Sequence, residues 1–170
     1  MKALSLWQPF ASLMVAGKKR CETRSWRMLH RGQLLIHAAK KWEPELAGIA
    51  CGAFFRPALE SMGIVFDASE EACKSGWGLP FGAIIGRVDV VDCYPTEKVN
   101  FGVPDVVHRG SGMPSDKTLV IGPTEQAFGD FSPGRFAFLC ENAVRFEKPI
   151  VWRGMQGIFD VSDELVKDVA

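Results

Sequence analysis

Gly17-Lys-Lys-Arg-Cys-Glu-Thr-Arg-Ser-Trp26 is the stretch from which the fold can be read outward. From Lys19 to Trp26 apolar or small residues alternate with charged ones, the period-two pattern of a strand with one face toward a core. Gly17 supplies the stop for a short helix, because Phe10, Leu13 and Met14 recur at helical spacing after Pro9, whose missing N–H a first helical turn tolerates. Residues 3 to 6 precede that helix as a short strand. Downstream, residues 33 to 39 form a compact apolar run after Gly32 and read as another strand.

Further along, Leu46, Ile49, Ala50, Ala53 and Phe54 share a helical face in a stretch opened by residues 42 to 44 and broken or kinked at Pro57, after which a second turn or two ends at Gly63. Residues 67 to 80 are mixed polar and glycine-rich. Ala83, Ile84, Ile85, Val88, Val90 and Val91 then give the strongest strand signal in the chain, predicted to be a central strand. Residues 95 to 123 hold four prolines among glycines and read as a long surface loop. Strand patterns return at residues 136 to 146 and 157 to 161, and Ser162 with Asp163 and Glu164 starts a C-terminal helix. Five or six short strands with two or three helices between them make an α+β domain on a mostly antiparallel sheet or small barrel with peripheral helices. Neither a G-x-G-x-x-G nor a Walker loop is present to support a nucleotide-binding parallel sheet.

The 170 residues are 47% apolar and 24% charged, which fits one folded domain over 1–170 and excludes wholesale disorder or coiled coil. No run approaches about 18 uncharged apolar residues, so a membrane span is not expected. With no secretory signal pattern either, the expected location is cytoplasmic. Five widely spaced cysteines without a C-x-x-C read as reduced thiols. His30, His37 and His108 lack paired zinc spacing, so neither a metal nor another cofactor is expected. The formal net charge is zero, but residues 1 to 60 carry ten basic and four acidic side chains while the remainder carries ten and sixteen. Between Gly17 and Lys41 eight cations face only Glu22, a composition that attracts phosphate.

Several residues in this region can carry chemistry. Glu22 and Arg24, two apart on a strand, share a face and can hold each other, whereas Lys19 is expected to point the opposite way from Glu22. Lys19 is a base candidate or a solvated surface cation, and Glu22 contacts a base edge or ribose, transfers protons, or neutralises Arg24. Arg24, Arg27 and Arg31 together with Trp7, Trp26 and Trp42 are the cation and ring mixture that suits single-stranded nucleic acid; among the rings, Trp26 is the best exposed candidate. His37, inside an apolar run, is a buried donor or a site residue. Gln8 either reads a base edge or caps a helix. Arg135, Arg153 and Gln156 stand in glycine-rich turns, as turn residues or ligand contacts.

Gly17, Lys19, Glu22 and Arg24 form G-x-K-x-x-E-x-R, and the flanks are Ala3-Leu-Ser-Leu-Trp-Gln-Pro9 and Arg31-Gly-Gln-Leu-Leu-Ile-His-Ala38. Together they resemble the ASCH domain, a PUA-like β-barrel family named for homology to a transcriptional coactivator. Phe128-Gly-Asp-Phe-Ser-Pro-Gly-Arg135 and Arg153-Gly-Met-Gln-Gly157 resemble the C-terminal half of its bacterial and phage members. On this resemblance residues 42 to 80 and 95 to 122 are insertions in a smaller barrel. It also implies binding of RNA or a derived nucleotide in a basic cleft around Lys19, Glu22, Arg24, Trp26, Arg31 and Asp130. Because His-Ala-x-Lys resembles a run of this subgroup, His37 and Lys40 join the candidates. Some small members hydrolyse N4-acetylcytidine, but they resemble this motif with Thr where Glu22 stands. A hydrolase acting on a modified nucleoside or on RNA phosphodiesters, with Lys19 and Glu22 catalytic, is therefore the alternative. A protein-interaction module using residues 99 to 107 is a third.

Overall fold

In a computed structural model the described residues are 1–105, 107–110 and 117–166. The chain is α+β, and its contacts divide it into two compact units. The first contains residues 1–18, 33–88 and the chain from 142; the second contains 19–32 and 89–141.

In the first unit β1 (Lys2–Leu6) runs parallel to β3 (Gly32–Ala38), with Ser5 opposite His37, and antiparallel to β9 (Ile158–Asp160). Their side chains Ala3, Leu35 and Phe159 build a core together with Ile84, Phe146 and Val161. Helix α1 (Phe10–Val15) ends as the sequence predicts: Gly17 takes φ +69°, a left-handed value that glycine adopts without a Cβ penalty, and Lys18 N–H bonds back to Leu13 O at 2.9 Å.

The stretch expected as a helix interrupted at Pro57, with a second turn or two ending at Gly63, is two helices, α2 (Pro44–Ala50) and α3 (Phe55–Glu60). The break falls before Pro57, which sits in the first turn of α3, where its missing N–H costs no intrahelical bond. Residues 70 to 75 also form a helix, α4 (Glu70–Ser75), for which no element was expected. Its ends are well specified: the Ser69 side chain accepts from Ala72 N–H, and Gly76 closes it in the left-handed conformation.

The second unit places β2 (Cys21–Arg24) antiparallel to β8 (Phe136–Val151), with Glu22 opposite Phe138 and Arg24 opposite Phe136. The proline-rich stretch expected as an irregular loop instead contributes a three-stranded sheet of β5 (Val99–Phe101), β6 (Val107–Arg109) and β7 (Leu119–Ile121). Its apolar residues pair while Pro104 and Pro123 stand at the joints. Val99, Leu119 and Ile121 are buried with Cys21, Tyr94, Ala137 and Leu139 in a second core. At about 1.5 to 3 kcal/mol for each large apolar side chain buried, that core outweighs the poor strand propensity of the surrounding Pro and Gly.

The strand order is β2-β8-β4-β3-β1-β9, with β4 spanning Ala83–Pro95. Helix α5 (Pro123–Ala127) precedes β8, and the expected C-terminal helix is a 3-10 turn over Asp163–Val166 within the described residues. Among the described residues no helix is long and apolar enough to cross a membrane.

Candidate functional site

The motif at the start of β2 is organised around a buried ammonium. Lys19 precedes the first residue of β2, so strand alternation does not govern its side chain, which turns toward Glu22 rather than away from it. Lys19 Nζ donates to Cys21 O and to Phe128 O at 2.7 Å and lies 3.5 Å from Glu22 Oε2; only 1% of the residue is exposed. Three oxygen acceptors around one buried cation repay the loss of its water. Glu22 Oε1 meets Arg24 Nε at 2.9 Å, the shared-face pairing that the spacing predicts.

A residue with no sequence signal completes the cluster. Glu125, buried in the first turn of α5, accepts from Arg20 N–H at 2.9 Å and Cys21 N–H at 2.8 Å. Burial holds its carboxyl above the ordinary range, against the Lys19 charge and these two bonds. Burial likewise pushes the Cys21 and Cys140 thiols up, so both are poor nucleophiles.

At the end of β2 two guanidinium groups are fixed from below. The Arg24 side chain is 32% exposed above Glu22. Arg135 Nη2 donates to Thr23 O at 3.3 Å and Arg135 Nε to Asp130 O at 3.1 Å, with 27% of the side chain exposed. Asp130 is itself held in a turn, where its Oδ1 accepts from Ser132 N–H and Oγ. Trp26 is half-buried, with its ring 5.2 Å from that of Phe138. Arg31 pairs with Asp92 at 3.4 Å and donates to the Met28 and His30 carbonyls.

The remaining candidates lie in the first unit. Gln8 is fully buried; its Nε2 donates to Pro80 O at 2.8 Å and its Oε1 accepts from Ser12 N–H at 3.1 Å, so its amide braces the start of α1. His37, Lys40, Arg153 and Gln156 converge on one cavity of about 830 Å³. His37 is a buried link within its wall. Nε2 lies 3.0 Å from Trp152 O, an acceptor only, which places the proton on Nε2; Nδ1 then accepts from Ser5 Oγ at 3.1 Å. Burial lowers the affinity of this imidazole for a second proton, although the Trp152 bond opposes the shift. Gly154 closes over the ring so tightly that a Cβ there would stand 2.4 Å from His37 Cε1 and 2.8 Å from Ser5 Oγ. Of the other two rings, Trp7 is half exposed with Lys41 Nζ 4.6 Å from its centroid, and Trp42 packs on Trp77 and Phe81. Among the described residues no three His, Cys, Asp or Glu side chains are grouped to hold a metal ion.

These elements define a protein of the α+β class, built on a six-stranded sheet with short peripheral helices. Residues 4–149 match the ASCH domain, and the chain belongs to that family. Activating signal cointegrator 1 from Homo sapiens is 36% identical over 104 residues and that from Mus musculus 34% identical over 103, in each case 61% of this chain. The chain spans 16% of the length of each of these relatives. The crystal structure of ASCH from Zymomonas mobilis has the same fold, with a TM-score of 0.51 at 14% identity, covering 98% of this chain and 90% of that one.

Proposed function

We propose that this ASCH domain acts in the cytosol and binds RNA, or a nucleotide derived from it, at the surface around the end of β2. The observation that carries the reading is the fixing of Arg24 and Arg135. Each guanidinium is anchored from within the protein, by Glu22 or by Thr23 and Asp130, yet keeps about a third of its side chain open to solvent. A pre-positioned fork loses little freedom when it meets a phosphate. Trp26, two residues beyond Arg24, adds a ring for a base, and the excess of cations between Gly17 and Lys41 adds attraction at longer range. We read the chain as one such domain, with residues 42–80 and 95–122 as insertions.

The hydrolase alternative, whether toward N4-acylated cytidine or RNA phosphodiesters, has less support, because Lys19 Nζ is buried among oxygen acceptors rather than open to a substrate. The test is fluorescence anisotropy with a short single-stranded RNA across a salt series. Affinity should fall with salt as expected for about two to four phosphate contacts, and Arg24→Ala and Arg135→Ala should each reduce the slope by about one. A flat salt response, or no binding at low salt, overturns the reading.

A further inference from the structure

The cavity in the first unit has a chemistry of its own, and its walls are tied together. Gly82 N–H donates to Ala38 O at 2.7 Å, Trp152 N–H to Gly82 O at 3.2 Å, and His37 Nε2 to Trp152 O at 3.0 Å. Three chain segments distant in sequence are thus joined by short bonds around a space of about 830 Å³, within the range of preformed small-molecule sites. Lys40 and Arg153 bring two cations to its rim, and its described lining holds no carboxylate. The Lys40 stem lies over Gly82, where a Cβ would come within 2.7 Å of Cε, so the glycine leaves room for that stem. Val151, Trp152 and Met155 supply an apolar wall, and the Gln156 amide offers one donor group and one acceptor.

A ligand that satisfies all three features has a doubly charged head, a flat body and a polar edge. Two cations fit a terminal phosphate better than a carboxylate, because a phosphate monoester carries close to two negative charges and three acceptor oxygens, against one charge and two oxygens. The flat body belongs against the apolar wall, and an amide can read the polar edge of a base. We propose that this cavity binds a nucleoside monophosphate, with the phosphate on Arg153 and Lys40 and the base edge on Gln156. The proposal does not rest on RNA binding by Arg24 and Arg135, which belong to the second unit.

The experiment is calorimetric titration of the whole chain with the four ribonucleoside 5′-monophosphates, the matching nucleosides and inorganic phosphate. At least one monophosphate should bind saturably at one site. Its nucleoside and inorganic phosphate should each bind at least about tenfold more weakly, and Arg153→Ala and Lys40→Ala should each weaken it by about tenfold or more, the value of one charge-assisted hydrogen bond. Both residues are exposed, so these variants should fold, which circular dichroism would check. In an Arg24→Ala/Arg135→Ala background, which removes the guanidinium pair of the second unit, the monophosphate site that Arg153→Ala and Lys40→Ala weaken should persist, and this separates the two readings. The proposal is overturned if no monophosphate saturates the folded protein, if inorganic phosphate binds as tightly as the nucleotide, or if both variants keep full affinity.

Discussion

Ser5 and His37 are register partners across the parallel β1–β3 pair, and Ser5 Oγ meets His37 Nδ1 at 3.1 Å. Because neighbouring partners project to the same face of a sheet, the pair passes a hydrogen-bond chain from β1 through the imidazole to Trp152 O. Ser5 therefore helps hold the Trp152–Gln156 segment, although nothing in its own neighbourhood in the sequence marks it for that role.

That chain makes stability depend on pH in a defined direction. Burial depresses the folded-state pKa of His37, so the unfolded chain binds more protons as pH falls. The stabilising contribution is complete above the unfolded value, near about 6.5, and is lost as pH falls from there through the folded pKa. Urea denaturation between mildly acidic and neutral pH should show a steeper acid loss in the wild type than in His37→Gln. Equal slopes would show that His37 is not the responsible group.

Lys19→Ala should be a folding variant before it is a functional one. It leaves the Phe128 and Cys21 carbonyls without their donor and Glu22 without one of its two cations, at a cost of about 3 to 5 kcal/mol. Lys19→Met, which keeps the volume, should recover part of the packing but not the hydrogen bonds. Chemical denaturation measures both, and a loss under about 1 kcal/mol for Lys19→Ala would contradict the burial described above.

Removing Glu125 should weaken the same strand at its start. Glu125→Ala strips the carboxylate acceptor from two backbone N–H groups at the start of β2, and at about 1 to 3 kcal/mol for each donor left unsatisfied it should cost about 2 to 6 kcal/mol. Glu125→Gln keeps one strong acceptor oxygen and should cost less. Unfolding free energies that rank alanine as harmless would refute the bridging role.

Trp26→Ala separates stacking from packing. If the ring stacks on a base, RNA affinity falls by about 1 to 3 kcal/mol. The contact with Phe138 also predicts some loss of stability, but the half-buried ring should not reach the 3 to 5 kcal/mol typical, to within about a factor of two, of a fully buried tryptophan. Anisotropy and denaturation on the same preparation distinguish the two contributions.

What the sequence made legible is what depends on neighbours a few residues apart. Gly17 as a helix stop and the pairing of Glu22 with Arg24 both follow from local periodicity. The setting of Lys19 does not, because its acceptor Phe128 O is 109 positions away and Glu125 reaches Arg20 across 105. The partnership of His37 with Ser5 required the register of two strands 32 residues apart, which no local pattern specifies. In residues 95 to 123 the prolines taken together imply irregular chain, whereas at the described positions they punctuate strands whose apolar residues find a core. The helix at Glu70–Ser75 was legible in principle: its serine cap, acidic first turn and closing glycine stand together in the sequence.

The two thiols sealed in the second unit give the molecule a clock of its own. Cys51 is exposed and will react with an alkylating reagent at once, whereas Cys21 and Cys140 are buried and held in the unreactive thiol form. Modification of the last two must wait for the β2–β8 ladder to part, since Cys21 lies opposite Leu139 and Cys140 N–H bonds to Arg20 O at 2.8 Å. Their labelling rate, followed by intact mass, therefore times the opening of the strand that carries Glu22 and Arg24, with no foreign probe introduced into the protein.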